Sequence, residues 1–222
     1  MKQFLLLAAP ALAILLILLG ILTLPANPLG WFLILIGIVY IAGIIIVFII
    51  RKDRFWETPL VGEPANEEKG DRSFWLISLG MLIIFYISPL EYLLLPDFLP
   101  RSRLMSFIGI VLIIAGVTLF LWARRVLGKN YSGHISVKTG QALVQNGPYQ
   151  LIRHPAYAGF LLMALGISLG YSSIAGLVCT ISLLFPGLLY RMKLEERLLI
   201  GHFGDRYRDY IKKTSRMIPG IW

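Results

Sequence analysis

Long uninterrupted apolar stretches dominate this chain and restrict what it can fold into. A helix that crosses a bilayer needs about 20 mostly apolar residues. Four runs reach that length, and two shorter runs follow a polar stretch: 4–22, 29–50, 74–95 and 104–123, then 156–171 and 173–190. Sixteen residues of helix rise only about 24 Å, so the last two runs predict a tight hairpin that is tilted or incompletely spanning. The pattern predicts an all-α, polytopic membrane bundle of about six helices with a C-terminal helical cap.

The composition excludes most alternatives to a membrane protein. Apolar residues make up 57% of the chain and charged residues 15%, whereas soluble domains contain about 25% charged residues. The single cysteine, Cys179, lies in an apolar run and excludes an internal disulfide. The net charge of +9 comes from basic residues that flank apolar segments. Basic tracts interleaved with aromatic residues are missing, so we expect no nucleic-acid partner.

The distribution of basic residues predicts the orientation. Six helices put both termini on one side, and 19 of the 21 lysines and arginines then fall on that side. The other two are Arg101 and Arg103. Cytoplasmic loops carry the excess of Lys and Arg, so we expect both termini to be cytoplasmic. The interpretation is a multi-pass protein of the plasma (inner) membrane of a prokaryote.

A polar stretch divides the chain into two parts. Residues 51–73 read as a flexible cytoplasmic linker because they are rich in charged residues, proline and glycine. We therefore predict a two-helix transmembrane hairpin at 1–50 and a functional core at 74–222. The C-terminal tail is helical in pattern from 193 to 214, with interruptions near Gly201 and Gly204.

One polar stretch with chemical potential precedes the fifth apolar run. Pro155 pushes His154 out of helical conformation and can itself begin the next helix. Arg153 and His154 then lie at the N-terminal mouth of that helix, where free N–H groups and the helix dipole favour an anion. The alternative is that these two residues form an interfacial pair at the end of a membrane helix, with Tyr149 and Tyr157 as interfacial aromatic residues.

A second polar stretch follows the last apolar run. Arg191 and Glu195 are four residues apart and share one helix face. They form either a functional pair or an ordinary intrahelical ion pair. No G-x-G-x-x-G, Walker A, H-E-x-x-H or G-x-S-x-G motif occurs, and we expect no metal. Any cofactor must therefore bind between the membrane helices and these two polar stretches.

The order of the residues in the C-terminal half resembles the isoprenylcysteine carboxyl methyltransferases. That family belongs to a wider group of membrane methyltransferases that includes phospholipid N-methyltransferases. The resemblance covers about residues 105–220. It is carried by Leu143-Val144, Gly147-Pro148-Tyr149, Arg153-His154-Pro155, Tyr157, Arg191, Glu195-Glu196, Leu199, Phe203-Gly204, Tyr207, Tyr210 and Pro219.

The resemblance implies S-adenosylmethionine in a cytoplasmic pocket that the C-terminal helices cover, within residues 134–222. It implies cofactor contacts at His134, Gln141, Ala142, Leu143, Val144, Tyr149, His154, Pro155, Ala156, Tyr157 and Glu195. Arg191 would face the methyl acceptor, and Arg191 and Arg153 are the catalytic cations that we predict. Eukaryotic members usually carry His where this chain has Gln141, and an amide can still hydrogen-bond an adenine edge or a ribose. The first two helices lie outside the resemblance.

The reaction that these residues favour is methyl transfer to a carboxylate. A carboxylate acceptor is ionised at neutral pH and needs no general base, but it needs a cation to orient it, and an arginine provides a bidentate clamp. We expect a lipidated or amphiphilic acceptor, such as a prenylated one, that enters from the bilayer. The alternatives are a phospholipid or amine N-methyltransferase, a sterol-reductase-like enzyme that uses NADPH, and a non-catalytic membrane scaffold.

Overall fold

Helices account for almost all of the described architecture. The structure, a computed structural model, describes residues 2–50, 73–95, 101–128 and 142–220. The helices are α1 Lys2–Thr23, α2 Gly30–Ile50, α3 Ser73–Leu94, α4 Arg103–Leu127, α5 Pro155–Gly170, α6 Ile174–Cys179, α7 Phe185–Phe203 and α8 Asp205–Lys213. A 3₁₀ turn at Gly147–Gln150 precedes α5, and a π-helical turn at Thr180–Leu184 joins α6 to α7.

The apolar helices match the six apolar runs of the sequence. Among the residues whose side chains the structure describes, three helices are long and apolar enough to cross a membrane: Trp75–Leu94, Arg103–Leu127 and Ile174–Phe203. The same residues include three further apolar segments, Ala9–Thr23 of α1, Gly30–Ile46 of α2 and Pro155–Gly170. Large apolar side chains such as Trp31, Phe107 and Ile181 lie exposed on the outside of the bundle, which is the arrangement that lipid rather than water accepts. The predicted all-α membrane bundle is confirmed.

The N-terminal helices share one core with the rest of the bundle. Leu16 and Leu33 belong to the same buried cluster as Ile84 and Ile167. In the turn between α1 and α2, the Asn27 side-chain amide donates to the carbonyl of Gly170 at 2.8 Å. The predicted linker lies, except for Ser73, outside the described residues. Within the described part, α1 and α2 are packed onto the core rather than separate from it.

Helices α4 and α5 approach each other closely through glycines. A Cβ atom on Gly109 would lie 2.5 Å from the Cα of Gly170, and a Cβ atom on Gly116 would lie 2.6 Å from the carbonyl oxygen of Gly159. Small residues at such positions allow the backbones of membrane helices to meet. This contact fixes α5, whose first turn carries several predicted site residues.

The C-terminal helices correct one prediction. The second arm of the predicted hairpin ends neither at 190 nor before a separate tail helix, because α6, the π-helical turn and α7 form a 30-residue helix from Ile174 to Phe203. The apolar pattern stops where charged residues begin, but charged residues with good helix propensity continue the helix. The predicted interruption occurs at Gly204, which has a φ of +59°, whereas Gly201 lies inside α7.

Glu91 has a structural contact at the far end of the bundle from this break. Its carboxylate accepts hydrogen bonds from the backbone N–H groups of Ile174 at 3.2 Å and Ala175 at 3.0 Å, and from the Ser173 hydroxyl. It therefore satisfies N–H groups at the start of α6, which is the energetic requirement of every helix N-terminus.

Candidate active site

The predicted site begins where α5 begins. Pro155 is the first residue of the helix, and His154 precedes it with a φ of −125° and no side-chain hydrogen bond to the helix N-terminus. The predicted break before Pro155 is thus confirmed. The His154 backbone N–H donates to the Arg216 carbonyl at 3.0 Å, and the Arg153 N–H donates to the Ser215 carbonyl at 2.9 Å. The C-terminal segment therefore occupies part of the helix mouth where the sequence predicts an anion.

A tyrosine hydroxyl lies at the centre of the site. Tyr157, on the first turn of α5, donates to Oε2 of Glu195 at 2.8 Å and accepts from Nε of Arg191 at 2.9 Å. Arg191 and Glu195 share a face of α7, as their spacing predicts, but the tyrosine hydroxyl stands between their charged groups. The arrangement joins a cation, a hydroxyl and an anion in one hydrogen-bonded line.

Burial differs sharply between the two charged ends of this line. Arg191 is only 5% exposed, and its Nη1 donates to the hydroxyl of Ser73 at 3.1 Å. The Glu195 side chain is 35% exposed. A guanidinium held by two hydroxyls is rigid and suited to orient an anion, and a partly accessible carboxylate is suited to bind a cation.

Behind Glu195 lies a second, buried carboxylate. Oε1 of Glu196 accepts from Nε of Arg153 at 3.0 Å and lies 3.2 Å from Nε2 of His154. Oε2 accepts from Nη2 of Arg216 at 2.6 Å. The Glu196 side chain is 8% exposed. Burial of a carboxylate is tolerated when cations and hydrogen bonds surround it, and this carboxylate has both.

The second predicted cation, Arg153, faces this buried cluster. Its side chain is 7% exposed, and besides Glu196 its Nη1 donates to the carbonyl of Ile211 at 3.1 Å and to the carbonyl of Thr214. These partners all belong to the protein's C-terminal part. A catalytic role for Arg153 stays a prediction.

The remaining predicted residues are spread along the segment that leads to α5. Ala142 is exposed, Leu143 and Val144 are half-buried, and all three precede the 3₁₀ turn. Tyr149 is buried in that turn. Pro155 is buried and Ala156 half-buried in the first turn of α5. His134 and Gln141 lie outside the described residues.

Two tyrosines of α8 close the site from the C-terminal side. The hydroxyl of Tyr210 donates to the Tyr149 carbonyl at 2.6 Å, and burial raises the pKa of Tyr210 to about 12. Burial, reinforced by the charges of Glu196 and Glu195, raises the pKa of Tyr207 well above its usual range. Both phenols therefore stay neutral at physiological pH, and neither adds a negative charge beside the two glutamates.

Sequence reasoning missed three contributors to this geometry. Ser73 lies 118 residues from Arg191 in the chain, and neither Glu196 nor Arg216 was predicted to contact the site. The sequence shows that the glutamates at 195 and 196 are adjacent, but it does not show that their side chains bind different partners. No three His, Cys, Asp or Glu side chains come together as a metal site within the described ranges.

Comparison with known proteins places this geometry in a family context. The sequence model of the phospholipid methyltransferase family matches residues 104–206. A rice protein named probable protein-S-isoprenylcysteine O-methyltransferase (Oryza sativa subsp. indica) is 29% identical over 133 residues, which are 59% of this chain and 69% of the rice protein. Protein-S-isoprenylcysteine O-methyltransferase B of Arabidopsis thaliana is 28% identical over 151 residues, which are 66% of this chain and 77% of that protein.

A solved structure shows the same fold. It is the structure of the eukaryotic intramembrane Ras methyltransferase, an isoprenylcysteine carboxyl methyltransferase. The match has a TM-score of 0.60 at 20% identity and covers 93% of this chain and 73% of that one. Since 93% of the chain includes most of the N-terminal hairpin, α1 and α2 belong to the shared fold, although the sequence resemblance began only near residue 105.

Proposed function

This chain belongs to the isoprenylcysteine carboxyl methyltransferase family of membrane methyltransferases, and on that premise we propose that it methylates the carboxylate of a lipidated or amphiphilic acceptor with S-adenosylmethionine. The observation that carries this proposal is the line of Arg191, Tyr157 and Glu195, joined at 2.9 and 2.8 Å. It offers one group for each charged partner of the reaction.

The residues fit the cofactor's chemistry. S-Adenosylmethionine supplies an electrophilic methyl group on a sulfonium, and its methionine end carries an ammonium group. Glu195 suits that ammonium because its carboxylate is partly exposed and is oriented by the Tyr157 hydroxyl. Ala142, Leu143, Val144, Tyr149, Ala156 and the undescribed His134 and Gln141 complete the pocket that we propose. We assign His154, Pro155 and Arg153 to the wall behind Glu195, since His154 and Arg153 contact the buried Glu196.

Arg191 gives the acceptor its orientation in this proposal. The acceptor carboxylate is already ionised, so the protein needs no base and has to hold the nucleophile near attack distance with water excluded. The hydroxyls of Ser73 and Tyr157 fix the guanidinium before the acceptor arrives. Because Arg191 is almost fully buried, its charge acts in surroundings where an electrostatic contact is stronger than in water.

The match to the phospholipid methyltransferase family favours one second candidate, an amine acceptor. An amine must lose a proton before or during attack, whereas a carboxylate need not. The ring of His154 is 3% exposed and faces two glutamates, so no neutral base among the described site residues is open to an incoming amine. Arg191 would moreover repel an ammonium. This geometry supports the acid as acceptor.

The test is methyl transfer by the purified protein with radiolabelled S-adenosylmethionine. We expect turnover of an S-farnesylated cysteine with a free carboxylate, none of the same compound with its carboxylate already esterified, and none of phosphatidylethanolamine. Methylation of phosphatidylethanolamine alone would establish the second candidate. Calorimetric titration with S-adenosylhomocysteine and with NADPH separates a methyltransferase from a reductase-like enzyme, and binding of neither would indicate a scaffold.

We also propose that both termini and the site face the cytoplasm, on the strength of the basic residues in the sequence. In a variant without Cys179, a cysteine at position 208 should resist a membrane-impermeant reagent in intact cells, whereas one at position 103 should react. The opposite pattern would reverse the orientation. The relatives compared are plant proteins, so they give no support to the prokaryotic membrane that the sequence suggested.

A further inference from the structure

The cluster around Glu196 connects three parts of the chain at one carboxylate. Arg153 and His154 come from the entry to α5, Glu196 comes from α7, and Arg216 comes from the segment after α8. Loss of one partner from a buried ionic cluster leaves charge uncompensated. The Glu196 carboxylate therefore holds the entry to α5, helix α7 and the segment after α8 in fixed positions relative to one another.

His154 transmits this fixed relation toward the proposed cofactor site. A carboxylate can only accept, so Nε2 of His154 carries the hydrogen that points to Glu196 at 3.2 Å. The other ring nitrogen, Nδ1, lies 3.8 Å from Oε2 of Glu195. The ring also stacks on Tyr157, with centroids 5.5 Å apart and planes at 22°. The His154 imidazole thus lies between the buried Glu196 carboxylate and the two site residues that contact the ring, Tyr157 and Glu195.

The segment after α8 also binds the entry to α5 through backbone hydrogen bonds. Ser215 pairs with Ile152 in a parallel bridge, where the Ser215 N–H donates to the Leu151 carbonyl at 3.1 Å. The Arg216 carbonyl accepts from the His154 N–H at 3.0 Å. The Arg216 side chain then turns to Glu196. Arg216 consequently holds His154 in two ways. Its carbonyl binds the His154 backbone N–H directly, and its side chain binds Glu196, which contacts the His154 ring.

We propose that Glu196 is a positioning residue for methyl transfer, which rests on the function proposed above. It contacts neither cofactor nor acceptor. Glu196 sets the orientation of the His154 ring. Tyr157 and Glu195 pack against that ring and thereby adopt the geometry that receives the cofactor. Arg216 joins the C-terminal segment to Glu196. An ordinary salt bridge would contribute to stability alone, whereas a positioning residue changes the affinity and the rate of the folded enzyme.

The test compares Glu196→Gln and Arg216→Gln with wild type, with Asp205→Asn as the matched control. Asp205 forms an exposed ion pair with Arg208 on α8, so its loss removes a charge without touching the cluster. Glutamine keeps the shape of Glu196 but not its charge. S-Adenosylhomocysteine affinity, kcat, the KM for the acceptor and the melting temperature are measured on each protein, well below its melting range.

We expect Glu196→Gln to weaken S-adenosylhomocysteine binding by about tenfold and to lower kcat, with the acceptor KM nearly unchanged. This is the lower end of the loss that follows removal of partners that orient metal ligands, taken here as an analogy. Arg216→Gln, whose side chain is 19% exposed, should show the same pattern at a few-fold, because Arg153 and His154 still hold the carboxylate. Asp205→Asn should match wild type.

A lower melting temperature with unchanged affinity and kcat in both cluster variants would overturn the proposal and leave Glu196 a structural residue. An unfolded Glu196→Gln protein would leave the decision to Arg216→Gln, whose unchanged affinity would equally overturn it. If wild type itself fails to bind S-adenosylhomocysteine, the proposed function falls first and this inference falls with it. The wild-type titration therefore separates the two failures.

Discussion

Tyr157→Phe is the substitution that bears most directly on the site, because it removes one oxygen atom and leaves the ring. The hydroxyl makes two hydrogen bonds to charged groups, to Arg191 at 2.9 Å and to Glu195 at 2.8 Å. Such bonds contribute about 1.5–3 kcal/mol each. Water can replace the bond to the partly exposed Glu195, but it reaches the buried Arg191 poorly. The phenylalanine ring retains the contact with His154.

These contributions give the expected size of the effect. We expect Tyr157→Phe to lose about 2 kcal/mol of transition-state stabilisation, which is a fall of roughly 30-fold in kcat/KM, and to lose about 1 kcal/mol or more of stability because Arg191 loses a buried partner. Initial rates of methyl transfer, S-adenosylhomocysteine titration and thermal unfolding measure the three quantities. Tyr190→Phe is the matched control, since Tyr190 is 48% exposed on α7.

The result that would refute this reasoning is a Tyr157→Phe protein with kcat/KM within twofold of wild type. The hydroxyl would then be a structural contact, and Arg191 and Glu195 would not act as one unit. A loss in Tyr190→Phe equal to that in Tyr157→Phe would point instead to a general effect of the substitution on the bundle.

Three further outcomes follow from the same geometry. Arg191→Lys should raise the activation free energy of turnover by on the order of 2–4 kcal/mol while S-adenosylhomocysteine affinity stays nearly intact, because lysine keeps the charge and loses the planar fork. Full activity of this variant would exclude a clamp. Glu195→Gln should weaken S-adenosylhomocysteine binding more than Glu196→Gln in parallel titrations, and equal losses would contradict the assignment of Glu195. Tyr210→Phe should cost about 1–2 kcal/mol in unfolding experiments, since it removes the buried hydrogen bond from the Tyr210 hydroxyl to the Tyr149 carbonyl. Because the folded pKa of Tyr210 is raised from 10.0 to about 12, its contribution should be complete below about pH 10 and vanish as pH rises through 12.

The helices were predictable because a bilayer imposes a simple rule on sequence. A run of apolar residues that must satisfy its own backbone forms a helix, and α1 to α4 accordingly begin and end within a few residues of the apolar runs. The start of α5 was predictable for a local reason, since Pro155 restricts the residue before it and lacks an N–H. Both rules act within one continuous stretch of the sequence.

The parts that escaped prediction depend on residues far apart in the chain. The contact of Ser73 with Arg191 and that of Arg153 with Glu196 are products of how the helices pack, and no spacing in the sequence signals them. The residues that the family resemblance supplied, such as Tyr157 and Glu195, were found because each belongs to a recognisable order. Glu196 belongs to the same order, but only its burial distinguishes its task from that of its neighbour.

The glycine contact between α4 and α5 gives the protein a sensitivity to mutation at a distance from its chemistry. Gly166 lies nine residues beyond Tyr157 on the same helix, about 14 Å along its axis, and a Cβ atom there would come within 2.7 Å of the Gly109 carbonyl oxygen. A single added methyl group would force the two helices apart. Because α5 would move as a rigid body, Tyr157 and the adjoining His154 would be displaced with it. Loss-of-function variants in this chain should therefore cluster along the inter-helix seam as well as around the charged residues, and a screen of random variants would find inactive proteins whose site residues are all unchanged.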